Sequence, residues 1–136
     1  MTRILVVDDD RSVAYSIGTL LEYEGFEVAI AEDGLAGLAA IEADKFDVVI
    51  LDIFMPGMGG LETIEAMHRR QPGLPIIAIS GFMLRDSVRQ VTDDLAKAIE
   101  LGAAFSLNKP FRRRDVLAAV SACLDGAAAR PSNEAA

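Results

Sequence analysis

The sequence of 136 residues has very little cysteine and no long hydrophobic segment, and both absences narrow what the protein can be. Cys123 is the only cysteine, so no disulfide can form within the chain, which suits a reducing, cytoplasmic environment. No apolar run approaches the roughly 20 residues of a membrane span, and the N-terminus lacks the apolar stretch of a signal peptide. We therefore expect a cytoplasmic protein with no membrane segment.

Positive charge is also scarce. The chain has 13 lysine and arginine residues against 21 aspartate and glutamate residues, which gives a net charge of −8 and a pI near 4.5. A surface that binds nucleic acid needs an excess of positive charge, and the one basic cluster, residues 112–114, is too short to provide it. We expect no nucleic-acid partner.

What the sequence does contain is a series of short apolar runs, in a chain that is 51% hydrophobic. The runs are rich in β-branched residues and show no polar alternation, which is typical of strands buried on both faces of a parallel sheet. They occupy residues 4–7, 28–30, 48–51, 76–79 and, more weakly, 104–107. The sequence therefore predicts five buried strands.

The segments between these runs carry apolar residues at helical spacing, and we expect these stripes, which include Leu35 and Ile99, to be buried. Asp10 and Asp33 stand where N-caps are expected, and Gly25 and Gly102 stand where helices should end. Five strand–helix units predict an α/β fold, a (βα)5 three-layer sandwich. No glycine-rich loop follows the first strand, which argues against a dinucleotide-binding domain.

Domain organisation follows from where these patterns stop. We expect one folded domain over residues 1–124. Residues 125–136 are rich in alanine and polar residues without an apolar stripe, so we expect a disordered tail there and no output domain.

Polar residues follow four of the five predicted strands. Strand one is followed by Asp8, Asp9 and Asp10, strand three by Asp52, strand four by Ser80 and strand five by Lys109. Ligands of open parallel sheets bind beyond the carboxyl ends of the strands, so we expect these side chains to lie close together. A single aspartate after a strand is usually an N-cap, and it is the coincidence at four strands that indicates a site.

The chemistry of such a group is specific. Crowded carboxylates repel one another unless a cation lies among them, and Mg²⁺ prefers oxygen ligands of this kind. Lys109 supplies a fixed positive charge and Ser80 a hydroxyl donor for a phosphoryl oxygen. A carboxylate surrounded in this way can accept a phosphoryl group and become an aspartyl phosphate.

Four stretches together resemble the receiver family of response regulators. They match in order and spacing, and the likeness extends from residue 3 to about residue 124; the stretches are residues 6–10, residues 49–60, Ser80 and residues 108–111. The resemblance implies a flavodoxin-like parallel sheet with the strand order 2-1-3-4-5. It also implies a stand-alone receiver of a two-component or phosphorelay system.

The resemblance further implies a role for each site residue. Asp52 would be the phosphoacceptor, with Ser80 as the hydroxyl residue and Lys109 paired with the phosphoryl group. Mg²⁺ would be the cofactor. Its ligands would be Asp9, Asp52 and the backbone carbonyl of Phe54, with Asp8 holding it through water.

The partners implied are a histidine kinase or a histidine phosphotransfer protein, and a target protein is a further candidate. The phosphoryl group would come from a phosphohistidine and switch the surface around the fourth helix and fifth strand, for partner binding or onward transfer. We expect a monomer, and no enzyme activity on an external substrate.

Several positions depart from the family pattern. Ser106 stands where the family usually has an aromatic residue that turns inward on activation, and Phe105 is one residue away, on the opposite face by strand alternation. The interval from Ser80 to Lys109 is longer than usual, with an insertion in residues 82–91. Phe54 and Phe82 stand beside the expected path of the hydrolytic water, which predicts a long-lived phosphoryl state.

Two other functions remain open. A phosphohydrolase of the haloacid dehalogenase type also has a strand ending in D-x-D, which Asp8 and Asp10 satisfy, but no acidic pair follows Lys109. A receiver that is never phosphorylated could act only through protein contacts, although the set of site residues is complete. Incubation with a small phosphodonor distinguishes the three: a phosphoryl-accepting receiver is labelled once, a phosphohydrolase turns over continuously, and a receiver that is never phosphorylated does not react. The single histidine, His68, is expected to be a solvated surface residue.

Overall fold

The computed structural model describes residues 2–55, 59–80, 88–108 and 111–125, and of residues 88–93 only the backbone. Strands and helices alternate along the chain in these residues. They are β1 (Arg3–Val7), α1 (Arg11–Tyr23), β2 (Glu27–Ala31), α2 (Gly34–Ala43), β3 (Val48–Asp52), α3 (Gly60–Arg70), β4 (Ile76–Ser80), α4 (Val88–Leu101), β5 (Phe105–Asn108) and α5 (Arg113–Leu124). The predicted (βα)5 succession is confirmed.

The strands form one parallel sheet in the order β2-β1-β3-β4-β5. The central strands β1, β3 and β4 are apolar and buried along nearly their whole length, because helices cover both faces of the sheet. Strand β2 lies at an edge and is more exposed. The flavodoxin-like strand order implied by the resemblance is confirmed.

Two hydrophobic clusters separate the helices into two layers. One cluster joins the sheet to α2, α3 and α4 through residues such as Leu38, Ile64 and Leu95. The other joins the opposite face to α1 and α5 through residues such as Ile17 and Val120. Strands β1 to β4 send alternate side chains to the two clusters, whereas the apolar residues of β5 pack only in the cluster of α1 and α5.

The predicted helix ends agree with the structure. The Asp10 carboxylate accepts hydrogen bonds from the N–H groups of Ser12 and Val13, and Asp33 accepts one from Ala36 at 2.8 Å. After α1, Gly25 has a φ of +97°; its N–H donates to Glu22 O, and the next N–H, that of Phe26, donates to Leu21 O. This is a Schellman arrangement, which favours glycine.

The expected apolar stripes are wrong at two positions. Leu35 of α2 is 68% exposed and Ile99 of α4 is 43% exposed. Their helices bury small residues instead, Gly37 in α2 and Ala98 in α4, because these allow the helices to lie close to the sheet. His68 is exposed, as expected. In the described residues no helix is long and apolar enough to cross a membrane.

The alternation expected in β5 is confirmed. Phe105 packs against the cluster of α1 and α5 and is the register partner of Ile77, whereas Ser106 is the partner of Ala78, which belongs to the other cluster. No aromatic side chain of β5 therefore faces the α4 layer. Of the insertion, residues 88–91 form the first turn of α4, and residues 82–87 lie outside the described residues.

Candidate functional site

Asp8, Asp9 and Asp52 lie together at the carboxyl edge of the sheet and form what we call the acidic cluster. One carboxylate oxygen from each lies within 4.8 Å of the others. Asp8 is 1% exposed and Asp52 is 5% exposed, while Asp9 is open to solvent. The expected proximity of these three residues is confirmed.

The backbone fixes the two buried carboxylates. Asp8 follows β1 directly; its N–H donates to Ala31 O, and its Oδ1 accepts from the N–H of Asp10 at 2.9 Å. Asp52 ends β3, and its Oδ1 accepts from the N–H of Phe54 at 3.0 Å. Each carboxylate is thus oriented by the backbone two residues later, so its position depends on the turn that follows the strand.

Ser80 ends the neighbouring strand β4. It is fully buried, and among the described residues its Oγ has no hydrogen-bond partner. Asp52 pairs with Ile79 in the sheet, and the N–H of Ile53 donates to Ile79 O, so Ser80 follows beside the end of β3. A buried hydroxyl without a partner is costly, which is typical of a group that meets a ligand.

The other predicted site residues are placed as follows. Asp10 caps α1 and is not part of the acidic cluster. Phe54 is half-buried and packs against the cluster of α2, α3 and α4. Asn108, the last residue of β5, is the register partner of Ser80. Lys109 lies outside the described residues, as does Phe82.

Gly60, the first residue of α3, lies against the backbone that carries Asp52. A Cβ atom added to Gly60 would be 2.1 Å from Ile53 Cα and 2.7 Å from Asp52 O. The Gly60 N–H also donates to Ile53 O at 3.3 Å. Only glycine permits this approach, so Gly60 helps to set where β3 ends. The sequence contained the Gly59–Gly60 pair, but nothing local indicated which glycine is confined.

Sequence reasoning also missed an ion pair beside the acidic cluster. The Nη2 of Arg11, in the first turn of α1, lies 3.2 Å from the Oε2 of Glu32, which follows β2. Glu32 directly follows β2, the one strand whose carboxyl end was not predicted to contribute to the site. A charged residue at that position was the signal in the sequence that could have indicated the ion pair.

The donor set fits a hard divalent cation. Carboxylate oxygens converge from two adjacent strands, two of the three carboxylates are buried, and crowding them without a counter-charge costs free energy. Next to them lies a buried hydroxyl without a partner among the described residues. The acidic cluster could therefore hold a metal ion.

A parallel sheet in the order 2-1-3-4-5, with aspartates at the carboxyl ends of its first and third strands, is the architecture of a receiver domain. Residues 4–121 match the family described as the response regulator receiver domain. The chain belongs to this family.

Solved structures and curated relatives agree with this family. The chain is similar to a CheY-like receiver domain protein from Methanospirillum hungatei, with 35% identity, 92% of this chain and 94% of that one covered, and a TM-score of 0.81. It is also similar to a receiver domain protein from Clostridium thermocellum, with 28% identity, 92% and 95% covered, and a TM-score of 0.81.

Among curated proteins, the chain is 38% identical over 122 residues to the response regulator MprA of Mycolicibacterium vanbaalenii, covering 90% of this chain and 50% of that protein. The chain thus spans about half the length of the curated relatives it matches. Membership of the receiver family favours signalling over the phosphohydrolase alternative, which rested on the D-x-D spacing of Asp8 and Asp10.

Proposed function

We propose that this chain accepts a phosphoryl group on Asp52 from a phosphohistidine. A carboxylate oxygen of Asp52 attacks phosphorus, the P–N bond breaks, and the imidazole of the donor leaves. The strongest support is that the buried Asp52 lies beside two further carboxylates. Close to it lies the buried hydroxyl of Ser80, which has no hydrogen-bond partner among the described residues. Family membership supports the same reaction.

We propose Mg²⁺ as the cofactor, held by Asp9, Asp52 and the backbone carbonyl of Phe54, with Asp8 bound through water. When bound, the cation would neutralise the negative charge that collects on the phosphoryl oxygens. The hydrogen bonds from the N–H groups of Asp10 and Phe54 hold Asp8 and Asp52 in place for this role.

Ser80 and Lys109 would serve the transferred group. The Ser80 hydroxyl lies next to the end of β3 and would donate to a phosphoryl oxygen, which would give its buried Oγ a partner. Lys109 follows the strand residue paired with Ser80, so its ammonium would reach the same group as a fixed charge.

The remaining features of the proposal concern the whole protein. We propose residues 1–124 as the receiver unit, with residues 125–136 as a tail. Its partners would be a histidine kinase or a histidine phosphotransfer protein, and a target protein that recognises the switched surface around α4 and β5. We propose a cytoplasmic monomer that is phosphorylated once and turns over no external substrate.

Asp52→Asn tests the proposal. With Mg²⁺ and acetyl phosphate, intact mass spectrometry should find one phosphoryl group on the wild type and none on Asp52→Asn. Asp10→Asn is the matched control, because asparagine also caps α1 and Asp10 lies outside the acidic cluster. Labelling of Asp8 or Asp9, continuous release of phosphate, or a wild type that remains unlabelled would each refute the proposal.

A further inference from the structure

A pocket of about 230 Å³ lies beside the acidic cluster, between the start of α1 and the end of β2. Asp8 of the acidic cluster lines it, with Ala14, Tyr15 and Ile30 as its apolar walls. Arg11 and Glu32 complete the lining and form the ion pair described above. We call this space the Arg11–Glu32 pocket.

Arg11 and Glu32 carry opposite charges and lie beside the three carboxylates of the acidic cluster. Both are largely exposed, with side chains 76% and 68% accessible, so their ion pair contributes little to stability. Arg11 is the cation among the described residues that line the pocket. Apolar walls concentrate the field of such charges, and the field decides how readily a charged ligand approaches.

An anionic phosphodonor must approach carboxylates that repel it. One divalent cation leaves the three aspartates with a net negative charge, and a phosphorylated donor is itself a dianion. A guanidinium near the entrance reduces this repulsion, whereas a carboxylate there increases it. The paired residues cancel, so the pocket of the wild type presents nearly no net charge from this pair.

We propose that Arg11 is a positioning residue for the anionic phosphodonor, attracting it toward the acidic cluster, and that Glu32 opposes it. The proposal rests on the proposed function, since it concerns how the donor reaches Asp52. It concerns the approach of a dianionic phosphorylated donor to the acidic cluster, past the charges that line the Arg11–Glu32 pocket. It also makes the two members of one ion pair act in opposite directions, which no structural role of the pair would do.

Arg11→Ala and Glu32→Gln test this at saturating Mg²⁺ with acetyl phosphate, by mass spectrometry of the full chain. Arg11→Ala should slow the initial phosphorylation by about twofold to fivefold, and Glu32→Gln should speed it by a similar factor. In about 0.5 M salt the rates of both variants should approach that of the wild type, because the Debye length falls to a few ångströms and the charges are screened.

The two substitutions should affect Mg²⁺ binding in the direction opposite to their effect on the phosphorylation rate. Arg11→Ala makes the surroundings of the acidic cluster more negative and should lower the Mg²⁺ concentration that gives half of the increase in melting temperature. Glu32→Gln should raise it. This readout requires no phosphoryl transfer, and a role in stability alone would not produce it.

Arg70→Ala is the matched control, because Arg70 forms a comparable exposed ion pair with Glu42 at 2.6 Å. This pair lies at the C-terminal ends of α3 and α2, at the edge of the sheet where β4 and β3 start and opposite the acidic cluster. It should leave both readouts unchanged. Shifts of the same sign in Arg11→Ala and Glu32→Gln, shifts as large in Arg70→Ala, or no shift would overturn the inference. If the wild type is not phosphorylated, the proposed function fails, and unchanged Mg²⁺ affinities would overturn the inference separately.

Discussion

Phe54 follows the proposed phosphoacceptor by two residues and packs, half-buried, against the core of the α2, α3 and α4 layer. An aromatic ring there cannot orient a water molecule for in-line attack on the acyl phosphate. We predict that Phe54→Asn speeds the loss of the phosphoryl group by about tenfold, which corresponds to roughly 1.4 kcal/mol of barrier.

The measurement is the decay of phosphorylated protein after the donor is removed, at constant Mg²⁺. Tyr23→Asn is the control, because Tyr23 is also aromatic but highly exposed at the far end of α1. Decay of Phe54→Asn at the wild-type rate would show that this ring does not set the lifetime.

The buried thiol of Cys123 should make the stability of the protein depend on alkaline pH. Cys123 lies on the buried face of α5, in the core, and burial raises the pKa of its thiol from 9.0 to about 12. Because the folded protein retains this proton to a higher pH than the unfolded chain does, the resulting stability is complete below pH 9 and is lost as the pH rises toward 12.

We therefore predict that the alkaline fall in the free energy of unfolding is smaller in Cys123→Ala than in the wild type. Urea denaturation between about pH 9 and pH 11 measures the difference. Ser121→Ala, at an exposed position of the same helix, should keep the wild-type dependence. A constant difference between Cys123→Ala and wild type across this range would contradict the prediction.

At the scale of elements, the start of α3 makes a close backbone contact with the end of β3, beside the site. The backbone of α3 begins so close to Ile53 that no side chain fits at Gly60. We predict that Gly60→Ala lowers the free energy of unfolding by about 1–3 kcal/mol and weakens Mg²⁺ binding, because the turn that orients Asp52 must move. Urea denaturation and melting at increasing Mg²⁺ measure the two effects.

Gly59→Ala is the matched control one residue earlier. Among the described residues, an added Cβ there would meet only Glu62 Oε1, at 3.8 Å, and Gly59 has an ordinary φ of −66°. Its free energy of unfolding should stay within about 0.5 kcal/mol of the wild type. Equal effects of the two substitutions would mean that the close approach at Gly60 is not what matters.

At the scale of the whole molecule, the acidic cluster opposes folding when no cation is bound. Asp9→Asn removes one of three neighbouring charges, so we predict a melting temperature roughly 2–6 °C higher than that of the wild type without Mg²⁺. The same substitution should remove most of the increase that Mg²⁺ produces in the wild type.

Differential scanning calorimetry with and without Mg²⁺ tests this prediction. Asp33→Asn is the control, because Asp33 caps α2 and asparagine caps equally well, so neither melting temperature should change. An unchanged or lower melting temperature for metal-free Asp9→Asn would show that the crowding of these carboxylates carries no energetic cost.

The succession of elements, the two N-caps and the edge at which the aspartates meet could all be predicted from the amino-acid sequence. Each of these depends on neighbours along the chain: apolar runs such as residues 48–51 define a buried strand, and Asp10 or Asp33 caps the helix that it precedes. Because parallel strands end on one edge, placing Asp8, Asp9 and Asp52 there required no knowledge of packing.

The contacts between side chains of different elements could not be predicted in this way, because they depend on how the elements pack. Arg11 and Glu32 are 21 residues apart, and their pairing depends on how α1 lies beside the end of β2. The confinement of Gly60 rather than Gly59, and the exposure of Leu35 where a buried stripe was expected, likewise follow from how closely each helix approaches the sheet. That distance is set by the sum of contacts over the whole core, and no local pattern contains it.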